Sequence, residues 1–165
     1  MDPTIAHINP FPLDVRTAFQ TYIHSFSYVN RERLDYLKYQ QLLLYLQNPQ
    51  LKPVTQAESR LKHRAQTEFM LLYDKLYRKP DARFQSPRSV VLENKAFDTI
   101  VNEHLQLLHA GRTKIWTILQ QKYYRLKREE AEFILKRCKN CTLNCPATIK
   151  APLVLIISGQ AWERV

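Results

Sequence analysis

Glycine is almost absent from this chain: two residues in 165, Gly111 and Gly159. Phosphate-cradling loops need several glycines at fixed spacing, because their backbone must come close to the anion. A Walker-type loop and a dinucleotide fingerprint are therefore both excluded. Long apolar runs are missing too. The longest, Leu153 to Ile157, falls far short of the roughly 18 residues that mark a bilayer span. The N-terminus lacks the basic start and apolar stretch of a secretory signal. An intracellular, soluble protein without a membrane partner is expected. There are three cysteines, all between positions 138 and 145. That number and clustering do not suit a disulfide framework and read better as metal ligands or free thiols.

What the chain has is apolar content and positive charge. Hydrophobic residues make up 45% of it, enough for a packed core and too many for a disordered polymer. The length suits one ordinary domain or two small ones. Lys and Arg outnumber Asp and Glu by 25 to 15, for a net charge of +10. The excess is local: residues 111–150 hold ten basic and three acidic groups. Such a segment is the electrostatic footprint of a polyanion binder, or else a solvated basic face.

Prolines 3, 10 and 12 mark residues 1–12 as an irregular lead-in. From Asp14, Val15, Ala18, Phe19, Tyr22, Ile23 and Phe26 recur at helical spacing. A second helix is predicted from about Arg31 to Gln47, its leucine-rich face buried against the first. Thr55 followed by Glu58 fits a capping box and starts a third helix at Gln56, running to about Gln66. The stretch Phe69 to Lys79 suggests a hairpin turning at Asp74-Lys75, and Arg88 to Leu92 one more strand. Three further helices follow between Glu93 and Cys138, the first closed by Gly111, before an extended segment at 146–165. The expected fold is mainly α: N-terminal helices, a small three-stranded antiparallel sheet, and a three-helix bundle stabilised by zinc. It divides into 1–50, 55–92, 93–145 and 146–165.

The chemistry sits in the third of these units. His104 and His109 are separated by four residues, 28 residues intervene, and Cys138 and Cys141 are separated by two. Two imidazoles and two thiolates make the tetrahedral donor set that Zn²⁺ prefers. A redox Cys-x-x-Cys would need a thioredoxin-like strand and helix around it, and the surrounding text is helical. Cys145 is a second candidate for the place of Cys141. Trp116, Tyr123 and Tyr124 lie at helical spacing and read as core or as a stacking platform.

His104-x4-His109-x-Gly111-Arg112-x-Lys114, then Lys122-Tyr123-Tyr124, Arg128-Glu129-Glu130 and Cys138-x2-Cys141, together resemble the zinc-binding domain of integrases. The likeness is closest to those of gypsy-type retroelements and related DNA transposons, including host genes derived from them. It covers roughly residues 55–165. Phe69, Leu76-Tyr77-Arg78 and Val90-Val91 are similar to the small sheet preceding that domain, and Ala161 to Val165 to the first strand of the catalytic core. Lys127 departs from the family's small helix-capping residue and cannot cap, and Ala110 stands where glycine is frequent.

The resemblance implies a Zn²⁺ site at His104, His109, Cys138 and Cys141. It also implies a DNA-binding and oligomerisation module, nuclear and without a small-molecule substrate. Arg112, Lys114, Lys122, Arg125, Lys127 and Arg128 are the candidates for phosphate contacts. The family's acidic triad lies in the core that would follow Val165, so this chain is expected to be catalytically inactive. The competing reading is a protein-interaction module whose leucine-rich helices dock a partner without nucleic acid.

Overall fold

The computed structural model describes residues 11–25 and 34–143. The lead-in before Phe11, Phe26, the stretch from Arg31 to Arg33, Cys145 and the extended segment at 146–165 lie outside the described residues. The elements are α1 (Leu13–Ile23), α2 (Tyr36–Gln47), α3 (Gln56–Glu68), β1 (Phe69–Leu72), β2 (Lys75–Arg78), β3 (Arg88–Val90), α4 (Glu93–Gln106), α5 (Arg112–Lys122), β4 (Tyr123–Tyr124), α6 (Arg128–Leu135) and α7 (Lys139–Leu143). The chain is mainly helical with a small sheet, as its periodicity predicts.

Local chemistry sets several of these boundaries. The Asp35 carboxylate accepts the Lys38 amide at 2.7 Å and starts α2, satisfying one of the amides a helix start leaves open. The capping box of α3 is present in both directions. Thr55 Oγ1 accepts from the Glu58 amide at 3.2 Å, and Glu58 Oε2 accepts from the Thr55 amide at 3.3 Å. The helix runs two residues past the expected end. At its last position Glu68 accepts from Arg64 at 3.0 Å and also holds Arg78 of β2. The hairpin turns at Tyr73-Asp74, one residue earlier than the polar pair suggested. Both turn residues have positive φ, 51° and 57°, the signature of a two-residue type I′ turn.

The sheet has four strands, in the order β1-β2-β3-β4. The first three are antiparallel, and β4 joins β3 in parallel through Ser89↔Tyr123 and Val90↔Tyr124. The fourth strand corrects the expected three-stranded antiparallel sheet. Two tyrosines at the end of a helix carry no alternation that could announce a strand; pairing with β3 alone defines them.

Two cores flank this sheet. Leu42 and Tyr45 of α2, Ala65 of α3, Phe69, Leu76 and Val90 form one. Val15 and Phe19 of α1, Phe97 and Ile100 of α4, Ile115 and Leu119 of α5, and Ile134 of α6 belong to the other. The faces of α1 and α2 thus go to different cores, contrary to the expected pairing of the two helices. Phe19 packs against Phe97 and Phe133, and Tyr22 stacks on Phe133 at 4.4 Å. Complete burial of a side chain such as Phe19 (1% exposed) is worth about 1.5–3 kcal/mol, so α1 is an integral wall of the second core. Val90 faces one core and Val91 the other, because successive side chains of an extended chain point to opposite sides.

Candidate metal centre

Helix α4 carries Ala96, Ile100 and His104 at intervals of four, so the three share one face and all are fully buried. His104 thereby enters the core fully buried, with Phe11 edge-on at 6.0 Å. The helix then ends in a Schellman motif. Leu108 donates to the Leu105 carbonyl at 3.0 Å, and His109 donates to the His104 carbonyl at 3.0 Å. This is the double bond pattern that wraps a helix terminus back on itself. Leu108 and His109 take φ of 50° and 61° to do so. The reversal brings the His109 ring to that of His104, with centroids 4.6 Å apart and planes at 88°. Gly111 plays no part in it. That residue has φ of −64° and precedes α5 as its N-cap, with open space where a Cβ would stand.

The cysteines come from the far side of the bundle. Ile134 and Leu135 of α6 are buried, which fixes the helix and sets fully buried Cys138 at its exit. Cys138 carbonyl oxygen accepts from the Thr142 amide at 3.0 Å and from its hydroxyl at 3.1 Å. These bonds close α7 and swing Cys141 back toward the histidines.

The four side chains converge. His104 Nε2 lies 2.9 Å from His109 Nδ1. Cys138 Sγ is 3.3 Å from His109 Nδ1, and Cys141 Sγ is 3.3 Å from His104 Nε2 and 3.7 Å from His109 Nδ1. All four donor atoms fall within 4.8 Å of one another. Ligand atoms on a tetrahedral zinc stand about 3.3 to 3.8 Å apart; these three sulfur–nitrogen separations meet that range and the nitrogen–nitrogen one undershoots it slightly. The cluster can hold a metal ion, and its donors are compatible with zinc.

The electrostatics agree with this use. Burial, and secondarily His109, pull the His104 pKa down to about 4, so the ring is neutral at physiological pH and its lone pair is free for coordination. Among the described residues His104 Nδ1 is buried without a hydrogen-bond partner, so none of them gives this candidate ligand the outer partner that metal-bound histidines usually have. His109 has a neighbour instead: its Nε2 lies 3.2 Å from the Asn140 amide group. With a metal on Nδ1, Nε2 would carry the proton, and Asn140 would accept that hydrogen bond through Oδ1 with its amide set oxygen-inward.

Beside the cluster, Glu103 is 4% exposed and accepts from Lys122 Nζ at 2.9 Å and from the Tyr123 hydroxyl at 2.7 Å. It ties α4 to the end of α5 and to β4. Burial first, then Glu103, push the Tyr123 phenol pKa up.

The six basic candidates separate into different settings. Arg112 and Lys114 are exposed on the first turn of α5. Lys122 is paired with Glu103, and Arg128 with Glu132 at 2.8 Å. Arg125, at φ 79°, is only 7% exposed, and Lys127 is half-buried. The Lys127 ammonium has no lone pair to cap α6, but Glu130 supplies half of a capping box by accepting the Lys127 amide at 3.1 Å. Trp116 packs against the second core and Tyr124 against the first. Sequence reasoning missed Glu103 and Asn140, which bear on the site only through the fold. The one available signal was Glu103 at position i−1 of a ligand, inside an apolar helix face.

No protein-family model, curated protein or solved structure matches the chain. What the centre does has to be read from its own chemistry.

Proposed function

We propose that this chain is a zinc-dependent DNA-binding and self-association module of an integrase-like, transposable-element-derived protein, acting in the nucleus and not catalytic by itself. The observation that carries the reading is the convergence of His104, His109, Cys138 and Cys141 from two ends of one bundle. Zinc there would cross-link the reversal after α4 to the α6–α7 turn and supply folding free energy directly. The net charge of +10 supports a polyanionic partner, and the resemblance of the His-x4-His and Cys-x2-Cys text to integrase zinc domains supports DNA.

The test is metal content with chelation. One equivalent of zinc is expected. Removing it, or substituting Cys138→Ser, should lower the melting temperature by more than about 10 °C, since structural zinc contributes many kcal/mol. Unchanged melting after removal sinks the metal reading. Affinity for duplex DNA should fall steeply with salt.

A second reading has its own support. Leu37 is 74% exposed and Val54 90%, with Tyr36, Leu44 and Leu51 also outward. Such apolar surface suits a protein-interaction module. Salt-insensitive capture of a protein, with no DNA binding, would favour it.

A further inference from the structure

A second candidate site lies where the β2–β3 loop meets the end of α5 and the β4–α6 turn, and none of the four residues of the metal cluster lines it. It is formed by two adjoining cavities, about 880 Å³ and about 200 Å³, which share Arg83, Phe84, Gln120 and Tyr123 in their linings. The smaller part is walled by Arg88, Arg125 and Lys127, and the larger reaches Lys122. No carboxylate lines either part among the described residues.

The arrangement is built rather than incidental. Arg88 is 8% exposed, yet its Nε is buried with no hydrogen-bond partner among the described residues. Its Nη2 donates to Asp81 at 3.2 Å. The same Asp81 accepts the Arg83 and Phe84 amides at 2.9 Å and so holds the loop that carries both. Arg88 lies over Phe84 at 3.8 Å, with Arg83 5.2 Å from the same ring. Tyr124 has Arg125 at 4.6 Å, Arg88 at 5.1 Å and Arg78 at 5.3 Å. Burial pulls the Arg88 pKa below its ordinary value against Asp81, and the charges of Arg78 and Arg83 add to that effect. Asp81 answers part of the Arg88 charge, and like charges gathered at one wall still favour an approaching anion. Arginine's planar fork fits phosphate oxygens. The rings of Phe84 and Tyr124 already carry guanidinium groups, which leaves the cleft suited to phosphates rather than to stacked bases.

We propose that this cleft, centred on Arg83, Arg88, Arg125 and Lys127, grips the phosphodiester backbone of DNA. It rests on the DNA-binding reading above and names where that binding occurs. Four cations from the β2–β3 segment and the β4–α6 turn would neutralise successive phosphates and contribute no base discrimination.

The experiment titrates the zinc-loaded full chain against a fluorescein-labelled duplex of random sequence, by anisotropy across a range of salt. The cleft variant is Arg83→Ala with Lys127→Ala. The charge-matched control, Lys52→Ala with Arg60→Ala, lies on exposed positions outside the cleft. Expected are at least tenfold weaker binding and a salt slope shallower by about 2 for the cleft variant, with less than threefold loss for the control. Equal losses in the two variants overturn the cleft and leave DNA binding standing. So does an unaffected cleft variant beside a tenfold loss in Arg112→Ala with Lys114→Ala. No binding by the unaltered chain overturns the DNA reading itself. If the double variant melts early, Arg83→Glu, a single change at an exposed position, replaces it under the same criteria.

Discussion

Replacing Leu108 with glycine should stabilise the protein, although it deletes a large apolar side chain. Leu108 occupies the position of the Schellman motif that must be left-handed, at φ 50°, where a Cβ crowds the following carbonyl. That conformation costs a non-glycine residue about 1–2 kcal/mol. The side chain returns almost nothing, being 87% exposed. Glycine loses more freedom on folding, which takes back about 0.5–1 kcal/mol, so the net gain is on the order of 0.5–1 kcal/mol. For a chain of this size that raises the melting temperature by roughly 2 °C. Leu108→Ala separates the causes, because it removes the same side chain but keeps the Cβ and should gain nothing. Thermal unfolding of both variants in excess zinc, at one protein concentration, is the measurement. A glycine variant that melts at or below the alanine variant would refute the claim that backbone strain at this reversal is what the chain carries to deliver His109.

Three further expectations rest on other residues. Asn140→Ala should weaken zinc about 10- to 100-fold, as loss of outer-shell partners does; competition with a chromophoric chelator reads it, and unchanged affinity removes Asn140 from the site. Tyr73→Asn should raise stability by about 0.5–1 kcal/mol, since asparagine tolerates the left-handed turn position that Tyr73, 93% exposed, fills at a cost; a lower denaturation midpoint would contradict it. The Asp35 carboxylate is held below its ordinary pKa, first by the Lys38 amide. Its folded pKa is thus lower than its unfolded one, and the charge contributes stability at neutral pH that is lost as pH falls through about 3.8 and below. Asn caps as well as Asp, so Asp35→Asn should be less stable than the unaltered chain at pH 7 and converge with it in acid; a gap that stays constant with pH assigns no role to the charge.

The convergent cluster was readable because its chemistry is scarce: two imidazoles and two thiols at two tight spacings stand out without knowledge of the fold. The capping box at Thr55 was readable for the same reason, since each partner is a near neighbour in sequence. Legibility failed where contacts are distant or short. The strand at Tyr123-Tyr124 has no period to detect. The separation of α1 from α2 depends on which core each apolar face meets, and an amphipathic pattern gives a face without its destination. The turn at Tyr73-Asp74 was misplaced by one residue because the polar pair beside it fits turn preferences better than a tyrosine does. Arg83 and Arg88 fell outside the segment richest in charge, and only the sheet brings them to Arg125 and Lys127.

Helix α6 begins just after Lys127 in the arginine-lined cleft and ends at Leu135, three residues before Cys138, while β4 is hydrogen-bonded into the sheet just before it. A single rigid rod therefore joins the two sites. On the proposed reading, loss of the ion at the thiol end would slacken the positively charged end as well, coupling its occupancy to the proposed grip on a polyanion.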